Sequence, residues 1–256
     1  MRSATAGPVN DTDTVDAGWT GVCRVGGFAA LAQVACALVT MTVVLTLGGE
    51  PGSASEAFEL LQGRRTEGLL RLDFASLVSM GAFYLTFFGL YAALRRSGGG
   101  HAALATALAF VGITLWLSAH PAFSLLYLSD QHAAAATEAQ RSQLLAAGEA
   151  VFAGNIWHSS AAVMAGLLLP AGVMVSVLML RSGLFGPATA WAGIGAFGVD
   201  LARVVVNAFA RGNPADILMA IAGPLYLVWF ALVGRRLLRL GQAPPGAVAS
   251  RESLTS

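Results

Sequence analysis

The sequence predicts an all-α polytopic membrane protein: six transmembrane helices in a bundle, both termini cytoplasmic, and one amphipathic helix on the outer side. Three observations carry that prediction. Charge is scarce, at 11% of 256 residues, while 56% are hydrophobic and the mean hydropathy is +0.67; soluble domains carry about 25% charged residues. Six apolar runs reach about 20 residues or more, the length a helix needs to cross a bilayer. The arginines, finally, are shared unevenly between the segments that join those runs.

Residues 1–20 form a polar tail with more acid than base, unlike the n-region of a signal peptide. The apolar run behind it is too long for an h-region, so it is read as a retained first span, Val25–Leu47. The others are Leu72–Leu94, Ala102–Leu128, Ile156–Leu180, Ala188–Ala210 and Ile217–Leu240. None alternates with a period of two, and backbone groups in lipid need partners within their own segment, so helices are predicted rather than a barrel. Residues 21–240 make the transmembrane domain, and 241–256 (GQAPPGAVASRESLTS) read as a disordered tail.

Six spans put Arg2, Arg24, Arg95, Arg96, Arg181, Arg235, Arg236, Arg239 and Arg251 on one side. The other side receives Arg64, Arg65, Arg71, Arg141 and Arg211 with most of the acids. The positive-inside rule then predicts a cell (cytoplasmic) membrane protein with its N- and C-termini inside. All fifteen basic residues are arginine, which reads as the bias of a GC-rich bacterial genome.

The joining segments have their own signals. Arg96-Ser97-Gly98 and Arg181-Ser182-Gly183 each offer a glycine suited to a left-handed helix cap. The outward segment Gly48–Glu67 contains a short amphipathic piece around Ala57–Leu61. In Ser129–Gly154, Thr137 is placed to cap a helix carrying Leu144, Leu145, Val151 and Phe152. An unbroken helix from Thr137 to Leu180 would run about 65 Å, so a break is expected near Gly154. Gly26-Gly27 reads as a close-packing pair rather than a nucleotide loop. Cys23 and Cys36, roughly 20 Å apart on one helix, read as small packing residues.

The polar residues at membrane depth fall in the outer half of the predicted spans. Asp73 opens the second, His120-Pro121 lies late in the third, and Trp157 and His158 stand early in the fourth. Asp200, Arg203 and Asn207 share one face of the fifth, with Arg211 at the interface, and Asp216 opens the sixth. Asp73, Ser76, Met80, Tyr84 and Tyr91 align on one side. Polar groups in lipid cost roughly 2.5–3.5 kcal/mol each, so these stripes are expected to turn inward around a polar pocket on the outward side.

Such a pocket would bind a small or lipophilic ligand. If it is catalytic, Asp73 or Asp200 is the acid/base candidate with His120 or His158 as partner, and Arg203, Asn207, Tyr84 and Trp157 line the ligand. Plainer readings stand beside this one. Asp200 and Arg203 at i, i+3 can simply neutralise each other. His120 can satisfy backbone freed at the Pro121 kink, and His158 can belong to an interfacial belt. Glu149 and Asp216 can be merely solvated.

Two histidines at similar depth on consecutive spans are what an axial haem pair or a mixed His/Asp metal site would use, but no haem motif, HExxH or HxxxH accompanies them. The cofactor is left unassigned. The net charge of +1 and the lack of a basic run with aromatics argue against nucleic acid. A transporter would use helix breaks at Pro121, Pro170 and Pro224. An accessory subunit forming a homo- or hetero-oligomer would use a small-residue face such as that of the fifth span.

Several stretches carry a resemblance: RVGGFAALAQV, EGLLRLDFASLV, LYAALRRSGGGHAALATALAFVG, ATEAQRSQLLAAGEAVFA and LMLRSGLFGPATAWAGI. Together, over roughly residues 22–240, the chain resembles the bacterial multi-pass family catalogued as domain of unknown function 4386. The resemblance implies six membrane helices and supplies no activity and no catalytic residue.

Overall fold

The computed structural model describes residues 17–157, 159–209 and 213–242, and over these the chain is helical without strands. A short 3-10 turn, Ala17–Trp19, leads into α1 (Thr20–Leu47). Then come α2 (Ala54–Gly63), α3 (Arg65–Arg71), α4 (Phe74–Ala119), α5 (Ala122–Ala134) and α6 (Glu138–Trp157). The chain continues through α7 (Ser159–Ser182), α8 (Pro187–Phe209) and α9 (Asn213–Leu240). Five segments are long and apolar enough to cross a membrane: Thr20–Leu47, Phe74–Ala134, Ala162–Ser182, Pro187–Asn207 and Ile217–Leu240. They expose large apolar side chains, with Leu45 74%, Trp191 63% and Ile217 61% accessible. A water-facing surface of this kind would be a liability, whereas acyl chains accept it.

Two expected spans therefore fall within one continuous helical stretch, and its interior explains how. Gly98 leaves the helical region at φ −177°, ψ 57°. The Tyr84 hydroxyl lies 2.6 Å from Thr114 Oγ1. Thirty residues of straight helix span about 45 Å, so α4 doubles back at Gly98. Of the two Arg-Ser-Gly turns, only Gly183 (φ 66°) takes the left-handed cap; Gly98 is extended. The expected third span also ends early. His120 is extended (φ −65°, ψ 125°) because the Pro121 ring crowds a helical residue before it, and α5 starts afresh beyond.

The chain divides into two compact units. The first comprises Met1–Leu31, Leu85–Ala107 and Leu169–Ser256. In it the glycine pair does what its sequence predicts. A Cβ at Gly26 would lie 2.8 Å from Gly89 Cα, and one at Gly27 would lie 2.9 Å from the Leu238 backbone nitrogen, so α1 meets α4 and α9 backbone to backbone. Cys23, buried, points its Sγ at the Gly89 carbonyl. The small-residue face of α8 is filled from within: Ala190 and Ala196 are fully buried, and Gly193 is covered by Ser176 and Trp229.

The second unit comprises Ala32–Tyr84 and Leu108–Leu168. Here one outer amphipathic helix was expected, and four helices pack instead. Helices α2, α3, α5 and α6 enclose a core of Phe58, Leu61, Leu72, Ala122 and Leu125, with Leu145, Val151 and Phe152 packed against it. Ser53 caps α2 by accepting from Glu56 N–H, and Thr137 caps α6 by accepting from Gln140 N–H at 3.2 Å. Gly154 itself is helical, and α6 ends three residues further on, at Trp157. His158, between α6 and α7, lies outside the described residues, as do Arg211 and 243–256 of the expected tail.

Candidate functional site

Asp73 sits at the junction between the four-helix module and α4. It follows Leu72, 1% exposed in the module core, and precedes the first residue of α4. Its backbone is left-handed (φ 56°, ψ 41°), the one positive φ at a non-glycine among the described residues. Aspartate tolerates that region better than most side chains. The half-buried carboxylate accepts two hydroxyls: Thr40 Oγ1 of α1 at 3.0 Å on Oδ1, and Ser76 Oγ on Oδ2. Ser76 shares the polar face of Asp73 in sequence; that Thr40 of α1 meets it at the same carboxylate needed the tertiary structure.

His120 lies in the same unit, within electrostatic reach of Asp73. Its Nδ1 accepts the Ala122 N–H at 3.4 Å, and its ring tilts against Trp116 with centroids 4.8 Å apart. The imidazole thus serves backbone freed at the Pro121 break, as the plainer reading expected. With Nδ1 an acceptor, the proton of a neutral ring belongs on Nε2. Tyr84, also in this unit, packs edge-on against Phe110 (4.9 Å) and gives its hydroxyl to Thr114.

Asp200, Arg203 and Asn207 belong to the first unit. Arg203 Nε donates to Asp200 Oδ1 at 2.6 Å, and the Tyr226 hydroxyl of α9 donates to Oδ2 at 3.1 Å. The pair is largely shielded, with side-chain exposures of 29% for Arg203 and 15% for Asp200. Tyr226 in turn stands perpendicular to Phe197 at 5.0 Å, and Phe197 meets Trp229 at 4.9 Å. Asn207 is half-buried. Arg203 and Tyr226, which hold Asp200, belong to its own unit.

Of the remaining candidates, His158 lies outside the described residues, and so does the placement of the Trp157 side chain. Asp216 stands in the first turn of α9, its side chain likewise not described. Glu149 corrects its expectation. Its Oε1 accepts the Ala54 N–H at 2.9 Å, so it holds the positive end of α2 rather than being merely solvated. Among the described residues no group of three or more His, Cys, Asp or Glu gathers as a metal site would.

Sequence reasoning missed the basic cleft of the first unit. Arg235, Arg236 and Arg239 line it together with the α7–α8 turn. Their spacing on one helix was the available signal, and it was absorbed into the topology argument.

Over the described residues the fold thus defines a class: all-helical, with five segments long and apolar enough to cross a membrane. Among known proteins no family model matches the chain, and no curated protein or solved structure matches it either.

Proposed function

We propose that the chain is a six-span protein of a bacterial cytoplasmic membrane, with both termini inside, that binds a small or lipophilic ligand at a polar site centred on Asp73. Six spans rest on the Gly98 turn and the Tyr84–Thr114 contact, which divide α4 into two antiparallel helices. Orientation rests on the arginine distribution. Membership of the multi-pass family the chain resembles belongs to this same proposal and carries no step of it.

One observation carries the site. A carboxylate at the head of a membrane helix, on left-handed backbone, collects two hydroxyl donors and has an imidazole within electrostatic reach. Left-handed residues outside glycine are over-represented at functional sites. Asp73 would hold or accept a proton at its carboxylate, and His120 would exchange one at Nε2, the nitrogen its backbone contact leaves open. Asp200 and Arg203 belong to the fold in this reading, because each satisfies the other and Tyr226 completes the carboxylate.

Transport is the second reading, and the helix breaks weigh against it. Pro121 interrupts its helix, but Pro170 and Pro224 sit inside continuous α7 and α9. The accessory reading loses part of its best surface, since Ala190, Gly193 and Ala196 of α8 are buried within the fold, while Gly198 and Ala202 stay open.

An optical spectrum and native mass spectrum of gently purified protein test the site. A bound chromophore or small molecule is expected, and Asp73→Asn or His120→Gln should release it. Retention of the same ligand by both variants would sink the assignment. Single cysteines test the topology: Ser142→Cys should react with an impermeant maleimide in intact cells, and Gln242→Cys only after lysis. The opposite pattern would overturn this topology.

A further inference from the structure

Three arginines of the α9 C-terminal end converge on a cleft of about 690 Å³ in the first unit. Arg235 and Arg239 are exposed one helical turn apart, and Arg236 is half-buried between them in sequence. No carboxylate lines the cleft, and no ion pair engages Arg235 or Arg239 among the described residues. Arg236 is anchored, its Nε donating to the Leu184 carbonyl. That bond ties α9 to the α7–α8 turn, which Ser182 Oγ also fixes by accepting the Leu184 N–H at 3.3 Å. The start of α8, at Pro187, forms another wall, so the positive end of a 23-residue helix adds to the same field. The floor is apolar: Leu184, Phe185 and Leu232.

Arginine at the cytoplasmic end of a span is ordinary placement. Placement alone does not build a walled cleft with a cationic rim and an apolar floor. We propose that this cleft binds a phosphate ester, its anion on Arg235 and Arg239 and its less polar body on Leu184 and Leu232. Guanidinium groups match phosphate oxygens through paired N–H donors, and basic pockets between membrane helices suit anionic headgroups. The chemistry is shared by an anionic phospholipid and a soluble phosphate, and the apolar floor favours the lipid. The proposal rests on reading the long helices as membrane spans.

Native mass spectrometry of the full chain, released from detergent with equal phosphatidylglycerol and phosphatidylcholine, tests it. Retention of phosphatidylglycerol is expected to exceed that of phosphatidylcholine about tenfold, and Arg235→Gln/Arg239→Gln should erase the preference. Arg181→Gln, which removes a nearby exposed arginine outside the cleft, should keep it. Leu232→Trp fills the cleft with every charge in place and should also abolish retention, so a double variant that misfolds does not end the test. Inorganic phosphate separates the sources: lipid held against its excess makes the headgroup the occupant, and displacement makes it a soluble phosphate. No preference in the wild type, or equal loss in Arg181→Gln, overturns the site. Inverted cysteine labelling with the lipid preference intact would instead sink the orientation and leave the cleft standing.

Discussion

Asp200→Asn leaves the Arg203 guanidinium half-buried without its carboxylate, and Arg203→Gln leaves the carboxylate with Tyr226 alone. Each single change is expected to destabilise by about 1–3 kcal/mol. The double variant should fall short of the sum, as a thermal-melt cycle in detergent would read; strict additivity would refute the pair as a structural unit. Glu56 gives a pH dependence of known sign. Its carboxylate accepts the Gly52 N–H and pairs with Arg71, which hold it below the ordinary value of 4.5. The stabilisation is thus complete above about pH 4.5 and fades as pH falls through the lowered value. Protection from hydrogen exchange over residues 49–56, taken relative to the intrinsic rate at each pH, should fall on acidification, and Glu56→Gln should flatten that response. These partners were not legible in sequence: Asp200–Arg203 follows from i, i+3 spacing, but Tyr226, Thr40 and Gly52 answer to no local rule.

The glycines decide how elements meet. Gly26 faces backbone atoms of α4 that cannot step aside, so Gly26→Val should lower stability by roughly 2 kcal/mol or more, seen as a depressed melting temperature and reduced yield. Gly81→Val on α4 meets nothing within 4 Å and serves as the control. Cysteines at Tyr84 and Thr114 should be joined by a bifunctional maleimide spanning about 10 Å, because the Tyr84 hydroxyl reaches Thr114 across the α4 turn while the backbones stand too far apart for a direct disulfide. A continuous α4 would leave that pair unlinked. Element positions were well read where apolar length sets them: α1, α7, α8 and α9 end within a few residues of their expected limits. Interruptions were read less well. Pro121 broke its helix because the residue before a proline resists helical geometry, whereas Pro170 and Pro224 were accommodated inside helices by their surroundings.

At the scale of the molecule, the sequence located apolar spans by composition but had no means of pairing the segments between them. Phe58 of α2 and Leu125 of α5 lie far apart in sequence, and each was read as part of a different surface or span. Their common core depends on long-range contact, which periodicity does not encode. The same limit hid Thr40 as a partner of Asp73, since it arrives from α1, whereas predicted depth pairs His120 with Asp73. A prediction belongs here too. Gly148 lets α6 approach α2, with a Cβ there only 2.8 Å from the Ala54 Cβ. Gly148→Leu should loosen the module as a whole, exposing α2 to protease, while the melting of the long helices changes little.

That four-helix module also has a history during synthesis. In the proposed topology its α2 and α3 are exported with the first outer segment, and α5 and α6 only with the second. About 60 residues separate Leu61 from Leu125, which at ribosomal speeds of about 5–20 residues per second is a delay of several seconds. Throughout that interval Phe58, Leu61 and Leu72 have left the ribosome without the surface that will cover them. The newborn chain therefore passes through a stage at which an extracytoplasmic chaperone, or the lipid surface itself, has a sticky half-core to hold.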